Sequence, residues 1–284
     1  MKTFIALLLV CGPLAAQTVP SSIFTDPPAD KAHPAAMQVL HIPSHGVNIN
    51  GLIYSPPGAG PHPTLVICHG LPGNEKNLDL AQAVRRAGWN AVTFNYRGSW
   101  GSPGQFRFVH NPEDAAAVLA FLRDPGNAAK YGIDAKRMVL AGHSMGGWVT
   151  ALTAARDTHL AGIILISMGD MSLIGALPPD KGIAEMADNM EALAGVTAES
   201  MYAEVKAHEK EFRATNAAAG LSKLPLLALT SDDGLQAHTG ALVAAIKTAG
   251  GTHITEVHAN TDHGWSDHRI ALQTSVIQWL TALP

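Results

Sequence analysis

From about residue 64 onward the chain alternates short, wholly apolar runs with longer segments whose apolar residues recur every three or four positions, and this rhythm dictates the fold. Short apolar runs of this kind are strands buried on both faces, and the periodic segments between them are helices that cover those faces. The pattern predicts βα units and a mostly parallel sheet. Strands are expected at 64–68, 90–94, 137–141, 162–166, 224–230 and 252–257, and helices at 75–87, 112–123, 145–156, 235–248 and 267–280. Asn111-Pro112 marks one helix start, since Asn can cap free amides and Pro suits the first helical position. Upstream, 37–42 and 47–55 flank Ser44-His45-Gly46 and read as an antiparallel hairpin, which brings the sheet to eight strands. One segment, 171–222, breaks the alternation: its apolar residues keep helical spacing, with Pro178-Pro179 and Gly195 as breaks, and it is expected to be an inserted helical cap.

A chain of 284 residues can bury a sizeable core, and a single domain over 37–284 is expected, preceded by a Pro- and Ala-rich arm at 17–36. At the N-terminus, Lys2, an apolar run over 4–10 and Pro13-Leu14-Ala15-Ala16 read as a secretory signal peptide, residues 1–16. The mature protein is therefore expected to be secreted or periplasmic. The run is well short of the ~20 apolar residues that span a bilayer, so no membrane span is expected. Val10 before Cys11 does not suit a lipoprotein site. Removal of the leader would leave Cys68 as the only cysteine, with no disulfide to form, and its place at the end of Leu65-Val66-Ile67 makes it a buried small hydrophobe. A formal net charge of −4 offers no surface for nucleic acid, and nothing in the sequence fixes an oligomeric state.

The residues that carry chemistry sit at strand ends. Gly142-His143-Ser144-Met145-Gly146 is a G-x-S-x-G placed between the run Met138-Val139-Leu140-Ala141 and a helical pattern. So sharp a turn strains the serine backbone and needs small neighbours, which Gly142, Gly146 and Gly147 supply. The helix beyond Ser144 points free amides at the reacting centre, so the Met145 N–H can donate to an oxyanion. His69-Gly70-Leu71-Pro72-Gly73 ends an earlier strand and can aim the Leu71 N–H into the same pocket. A serine hydroxyl needs a base held in one tautomer, so a histidine and a carboxylate should follow. Thr230-Ser231-Asp232-Asp233-Gly234 and Thr261-Asp262-His263-Gly264-Trp265 end the last two strands.

With these motifs, Asn95-Tyr96-Arg97-Gly98, Asp262-His263-Gly264-Trp265-Ser266-Asp267 and Trp279-Leu280, the chain resembles the α/β-hydrolase superfamily over nearly all of its mature length, closest to the dienelactone-hydrolase-like and prolyl-oligopeptidase-like branches. The resemblance implies an α/β-hydrolase fold and a triad of Ser144 as nucleophile, His263 as base and an acid three residues after the strand-end position usually held by Gly. Thr230 occupies that position here and still selects Asp233, with Asp232 beside it and Asp170, after the preceding strand, as alternatives. It further implies an oxyanion hole of Leu71 and Met145, acyl transfer through a covalent intermediate, and no metal or organic cofactor. A small-molecule carboxylic ester is the expected substrate; a peptidase or amidase, an acyltransferase and a non-catalytic binding protein are the rival readings.

Other candidates carry secondary roles. His69 is expected to brace the oxyanion loop, and His143 to pack or hydrogen-bond; His258 and His268 flank His263 without its place in the loop. No pair among the 14 histidines has the spacing of a zinc motif such as H-E-x-x-H. Arg97 is expected to hold loops through backbone carbonyls, Trp100 to line the substrate cleft, and Trp148 to lie in the core. Met186, Met190 and Met201 fit either an acyl pocket or the seam between cap and domain.

Overall fold

Alternate residues along the central strands face opposite sides of one sheet, and this period of two builds two cores. Leu65, Ile67, Val139, Ala141, Ile164 and Ile166 point to one face, while Val66, Cys68, Met138, Leu140, Ile163 and Leu165 point to the other, all of them buried. The computed structural model describes residues 18–284, and the expected signal peptide lies outside the described residues.

In chain order the elements are β1 (Ala36–Ser44), β2 (Val47–Ser55), β3 (His62–Cys68), α1 (Leu78–Arg86), β4 (Asn90–Phe94), α2 (His110–Arg123), α3 (Pro125–Tyr131), β5 (Ile133–His143), α4 (Met145–Ala154) and β6 (Gly162–Ile166). Then come α5 (Met171–Ala176), α6 (Pro179–Ala187), α7 (Ala198–Ala207), α8 (Ala218–Leu221), β7 (Leu226–Ser231), α9 (Gln236–Thr248), β8 (Ile254–Ala259) and α10 (Arg269–Ala282). The sheet has eight strands in the order β1-β2-β4-β3-β5-β6-β7-β8. β1, β2 and β4 pair antiparallel and the rest parallel, which is the expected α/β-hydrolase architecture. The hairpin turns at His45 and Gly46, both at positive φ as a two-residue turn requires.

Several boundaries shift by a few residues, β5 starting at Ile133 rather than 137 among them, and the largest departures from expectation are at α2 and α3. α2 starts at His110, so Asn111 lies inside it; no side chain of its own caps it, and the Val109 N–H donates instead to Glu204 Oε1 of α7 at 2.9 Å. A distant carboxylate at the helix start does the work expected of Asn111. α3 is a helix absent from the expected elements: the Asp124 carboxylate accepts from Asn127 N–H, Pro125 opens the helix, and Gly132 closes it in the left-handed conformation.

Between β6 and β7 the chain is helical, α5 to α8, and it docks through Met186 and Met201, both fully buried. The arm lies against α1, where Arg86 donates to the Ser22 and Ile23 carbonyls. Arg97, after β4, holds carboxylates more than carbonyls: its Nε donates to Asp114 Oδ1 at 2.7 Å, its backbone N–H to Asp114 Oδ2, and its Nη2 to Glu113. Ser44 Oγ, at the end of β1, donates to the same Asp114. Asp114 is fully buried, and its removal costs Arg97 its buried partner, leaving only the half-exposed Glu113 carboxylate, and leaves the Arg97 N–H and Ser44 hydroxyl without an acceptor. Asp114→Ala is expected to destabilise the fold by about 3–5 kcal/mol, read as a lower midpoint in urea unfolding.

Candidate active site

The turn after β5 is strained at one residue. Ser144 has φ 57° and ψ −124°, outside the regions that side chains favour, and it immediately precedes the first residue of α4. Its N–H donates to the Ile166 carbonyl and its carbonyl accepts from Gly147 and Gly169, so the turn is held from α4 and from the loop after β6. Gly146 packs directly on the Cys68 and His69 carbonyls, where any Cβ would collide. α4 therefore sits so close to β3 that the loop beyond it passes over Ser144. A Cβ on Gly70 would lie 2.9 Å from Ser144 Cβ and 3.5 Å from its Oγ. Leu71 follows in that loop and Met145 opens α4, so the two candidate oxyanion donors flank the serine.

His263, in the loop after β8, shares a cavity of about 270 Å³ with Ser144, Leu71 and His143. Its Nδ1 lies 2.8 Å from Asp233 Oδ2, and the Asp233 side chain is 2% exposed. Burial works against the Asp233 carboxylate, but hydrogen bonds from His263, the Leu235 N–H and Ser231 prevail and hold its pKa below the usual carboxylate range. The Leu235 N–H, 2.8 Å from Asp233 Oδ1, belongs to the N-terminal end of α9, whose dipole also favours the anion.

The alternative acids lie elsewhere. Asp232 is exposed and faces His258 at 3.1 Å. Asp170 caps α5 through the Ser172 N–H and accepts from Ala214 N–H at 3.0 Å. His268 pairs with Asp267 on the surface.

His143 is buried beneath the base. Its ring centroid is 4.6 Å from that of His263, and its Nε2 lies 2.8 Å from the His263 carbonyl, so it holds the loop by its backbone. Burial, with the nearby His263, pushes its pKa down to about 4. His69 is also pushed down to about 4 by burial; its Nδ1 meets the Gly70 carbonyl at 2.8 Å, and Tyr96 Oη donates to its own carbonyl. These contacts brace the loop that carries Leu71.

Trp100 is not among the residues lining this cavity. Its indole N–H donates to the Pro72 carbonyl at 2.8 Å, and Lys76 Nζ lies 4.4 Å from its ring centre. Its backbone N–H donates to the Ala192 carbonyl, so Trp100 ties the loop after β3 to the segment between β6 and β7. Trp148 is core, donating to the Phe212 carbonyl. None of Met186, Met190 and Met201 lines the cavity; the insert contributes Asp188, Asn189 and Glu191 instead. With Glu75 these make an acidic wall. Sequence reasoning missed that wall, and it missed Ser167 and Ser231, buried hydroxyls at the ends of two strands beside Asp233. Their only signal was a polar residue directly after each apolar run.

Residues 65–272 match the model of a family described as the alpha/beta hydrolase family. The chain is 31% identical over 137 residues to the quorum-quenching protein AidA of Acinetobacter baumannii, covering 46% of this chain and 43% of that protein. It thus spans about half the length of the curated relatives it matches. Among solved structures, it is similar to a hyperthermophilic esterase of Pyrobaculum calidifontis, with TM-score 0.64 and 20% identity over 89% of this chain and 88% of that one. It is also similar to the acylaminoacyl peptidase of Pyrococcus horikoshii, with TM-score 0.67 and 18% identity over 87% of this chain and 41% of that one.

Two buried neutral histidines make the fold sensitive to acid. The unfolded chain binds their protons near the ordinary pKa of 6.5, whereas the folded chain resists until about 4. Stability is therefore full above 6.5, falls by about 3 kcal/mol per histidine as pH drops to 4, and levels off for these groups below that. Urea midpoints at pH 7 and pH 4.5 should show the loss, and His143→Gln should shrink it.

Proposed function

Because the chain belongs to the alpha/beta hydrolase family, we propose that it is a serine hydrolase that cleaves carboxylic esters through an acyl-enzyme on Ser144. The observation that carries this reading is the 2.8 Å contact of His263 Nδ1 with a buried carboxylate, in the cavity that also contains Ser144. With Nδ1–H committed to Asp233, Nε2 is left as the acceptor, the tautomer a general base requires.

In this mechanism Ser144 Oγ attacks the ester carbonyl while His263 Nε2 takes the hydroxyl proton. The carbonyl electrons move onto oxygen, and the Leu71 and Met145 N–H groups stabilise the oxyanion. As the tetrahedral intermediate collapses, the alkoxide leaves with the proton from His263. Water then enters and attacks the acyl carbonyl while giving a proton to His263, and as the second tetrahedral intermediate collapses His263 returns that proton to Ser144 Oγ, releasing the acid and the free serine. Asp233 keeps the imidazole oriented and stabilises its charged form throughout.

The cavity of about 270 Å³ suits a small acyl group. Its wall of Glu75, Asp188 and Glu191 disfavours an anionic substrate and favours a neutral or cationic one.

Hydrolysis of p-nitrophenyl esters of increasing chain length should peak at short acyl chains and fall by about 10⁴-fold or more in Ser144→Ala. No turnover of any ester by the wild type, with cleavage of matched anilides, would replace the esterase reading with an amidase. A choline ester should react faster than its uncharged isostere, and Asp188→Asn with Glu191→Gln should cut that preference by roughly tenfold at low salt.

A further inference from the structure

Arg269 opens α10, the end of a helix at which the backbone dipole disfavours a cation, so helix stability does not account for its place. Its guanidinium is instead the meeting point of two loops. Nη1 donates at 2.9 Å to the carbonyl of Gly264, the residue after His263. Nη2 donates at 3.0 Å to Oδ1 of Asn77, at the far end of the loop that runs from β3 past Leu71 to α1. Asp79, in the first turn of α1, sets the plane of the fork: Nε donates to its Oδ2 at 2.8 Å and Nη2 to its Oδ1, while Gln273 Nε2 donates to the same Oδ2.

Both ends of this bridge are themselves bonded. Asn77 is fully buried with φ 55°, and its N–H donates to the carboxylate of Glu75, which lines the cavity of Ser144. At the other end His143 already holds the His263 carbonyl, and Arg269 holds the next carbonyl along. The base is thus fixed at two consecutive peptide groups, besides the contact of its Nδ1 with Asp233. Sheet pairing does not set the distance between the two loops, because they leave β3 and β8, which are separated in the sheet by β5, β6 and β7.

We propose that Arg269 is a positioning residue, a forked strap that fixes the loop of the base against the loop of the oxyanion donor so that His263 and the Leu71 N–H keep their register about Ser144. This role rests on the serine-hydrolase reading above. Arg269 does not line the cavity of Ser144 and acts only through Gly264 and Asn77. The base and the oxyanion donor must serve one carbonyl at the same moment, so a loose strap raises the barrier to the chemical step more than it weakens substrate binding. With Asp79 43% exposed, the ion pair itself adds little to stability, and variants at these positions are expected to fold.

In the full chain, Arg269→Ala should lower kcat for a short p-nitrophenyl ester about tenfold, with KM changed by less than about twofold. Arg269→Lys keeps the charge but has no fork to meet Asp79 and Gly264 together, and it should fall nearly as far. Asp79→Ala should lower kcat by about threefold, and the double variant should be no slower than Arg269→Ala, because the two residues act as one strap. An unchanged kcat in Arg269→Ala, a loss carried by KM alone, full activity in Arg269→Lys, or losses that multiply in the double variant would each overturn the strap. Should Arg269→Ala fail to fold, Asp79→Asn, which weakens only the fork, carries the same test with a smaller fall in kcat. Amide hydrogen exchange reads the strap without turnover: in Arg269→Ala, segments 69–77 and 262–268 should both exchange about tenfold faster while β5 stays unchanged. Faster exchange of both segments in a protein that cleaves no ester would sink the hydrolase reading alone. Unchanged exchange and kcat in an active esterase would sink the strap alone.

Discussion

The backbone turn at Ser144 is the constraint on which the rest of the site depends. A positive φ at a serine costs about 1–3 kcal/mol, and it persists only because its surroundings allow no other path. Here the N–H and C=O of Ser144 are both taken, by Ile166 on one side and by Gly147 and Gly169 on the other, while Gly146 presses on the carbonyls that end β3. That contact sets the height of α4 above the sheet. It also sets how closely the Gly70-Leu71 loop passes the serine, because the loop continues the strand that α4 touches. The proposed nucleophile and the proposed place for its oxyanion are thus one packing problem, solved where two backbones meet without a side chain between them.

The strand ends beyond β5 then place the remaining groups. Ser144, Ser167, Asp233 and His263 follow or lie just beyond β5, β6, β7 and β8, four neighbours in sheet order, so parallel pairing alone brings them to one edge. Fine alignment needs more. Three of the residues at this edge, Ser144, Ser167 and Trp265, take left-handed backbone conformations, an unusual concentration of strain that the buried hydrogen bonds among them offset. On the other side, the loop after β4 joins the insert through Ser99 and Leu193, Trp100 and Ala192, and Gly98 and Ala194. Trp100 carries that junction on to Pro72, so the loop after β3, the loop after β4 and the helical segment between β6 and β7 are bonded to one another.

These layers were unequally legible in the sequence. The sheet was readable because its signal is local: strands buried on both faces must be continuous apolar runs, and 90–94 and 162–166 coincide with β4 and β6 to the residue. The serine turn, His263 and Asp233 were readable as residue types at strand ends. What stayed hidden depends on partners remote in sequence. Glu204 supports the start of α2 across 95 positions, so no reading of Asn111-Pro112 could place that boundary. Arg97 met carboxylates rather than carbonyls because α2 turns Asp114 and Glu113 towards it, and Trp100 turned to Pro72 rather than to the cavity through a positive φ that nothing in its neighbours announces. Ser167 and Ser231 look like ordinary polar punctuation until the sheet sets them side by side.

The electrostatics of the finished site are one-sided. Asp233 is a buried anion, Glu75, Asp188 and Glu191 line the cavity, and the nearest imidazoles, His69 and His143, are kept neutral by burial. In the proposed reaction a positive charge forms on His263 and a negative one on the substrate oxygen. The first is favoured by every fixed charge in the cavity, and it would be opposed if His143, 4.6 Å away ring to ring, carried a proton of its own. The second is opposed by the same carboxylates. Neutral backbone amides must therefore carry the oxyanion, and they are fixed in place by the strained turn and the braced loop, so that no solvent or side chain has to reorient as charge develops. In the proposed reaction a cavity lined by carboxylates therefore leaves the oxyanion to the amides of Leu71 and Met145, and the held turn at Ser144 and the bonded loop around His69 and Pro72 are what that arrangement requires.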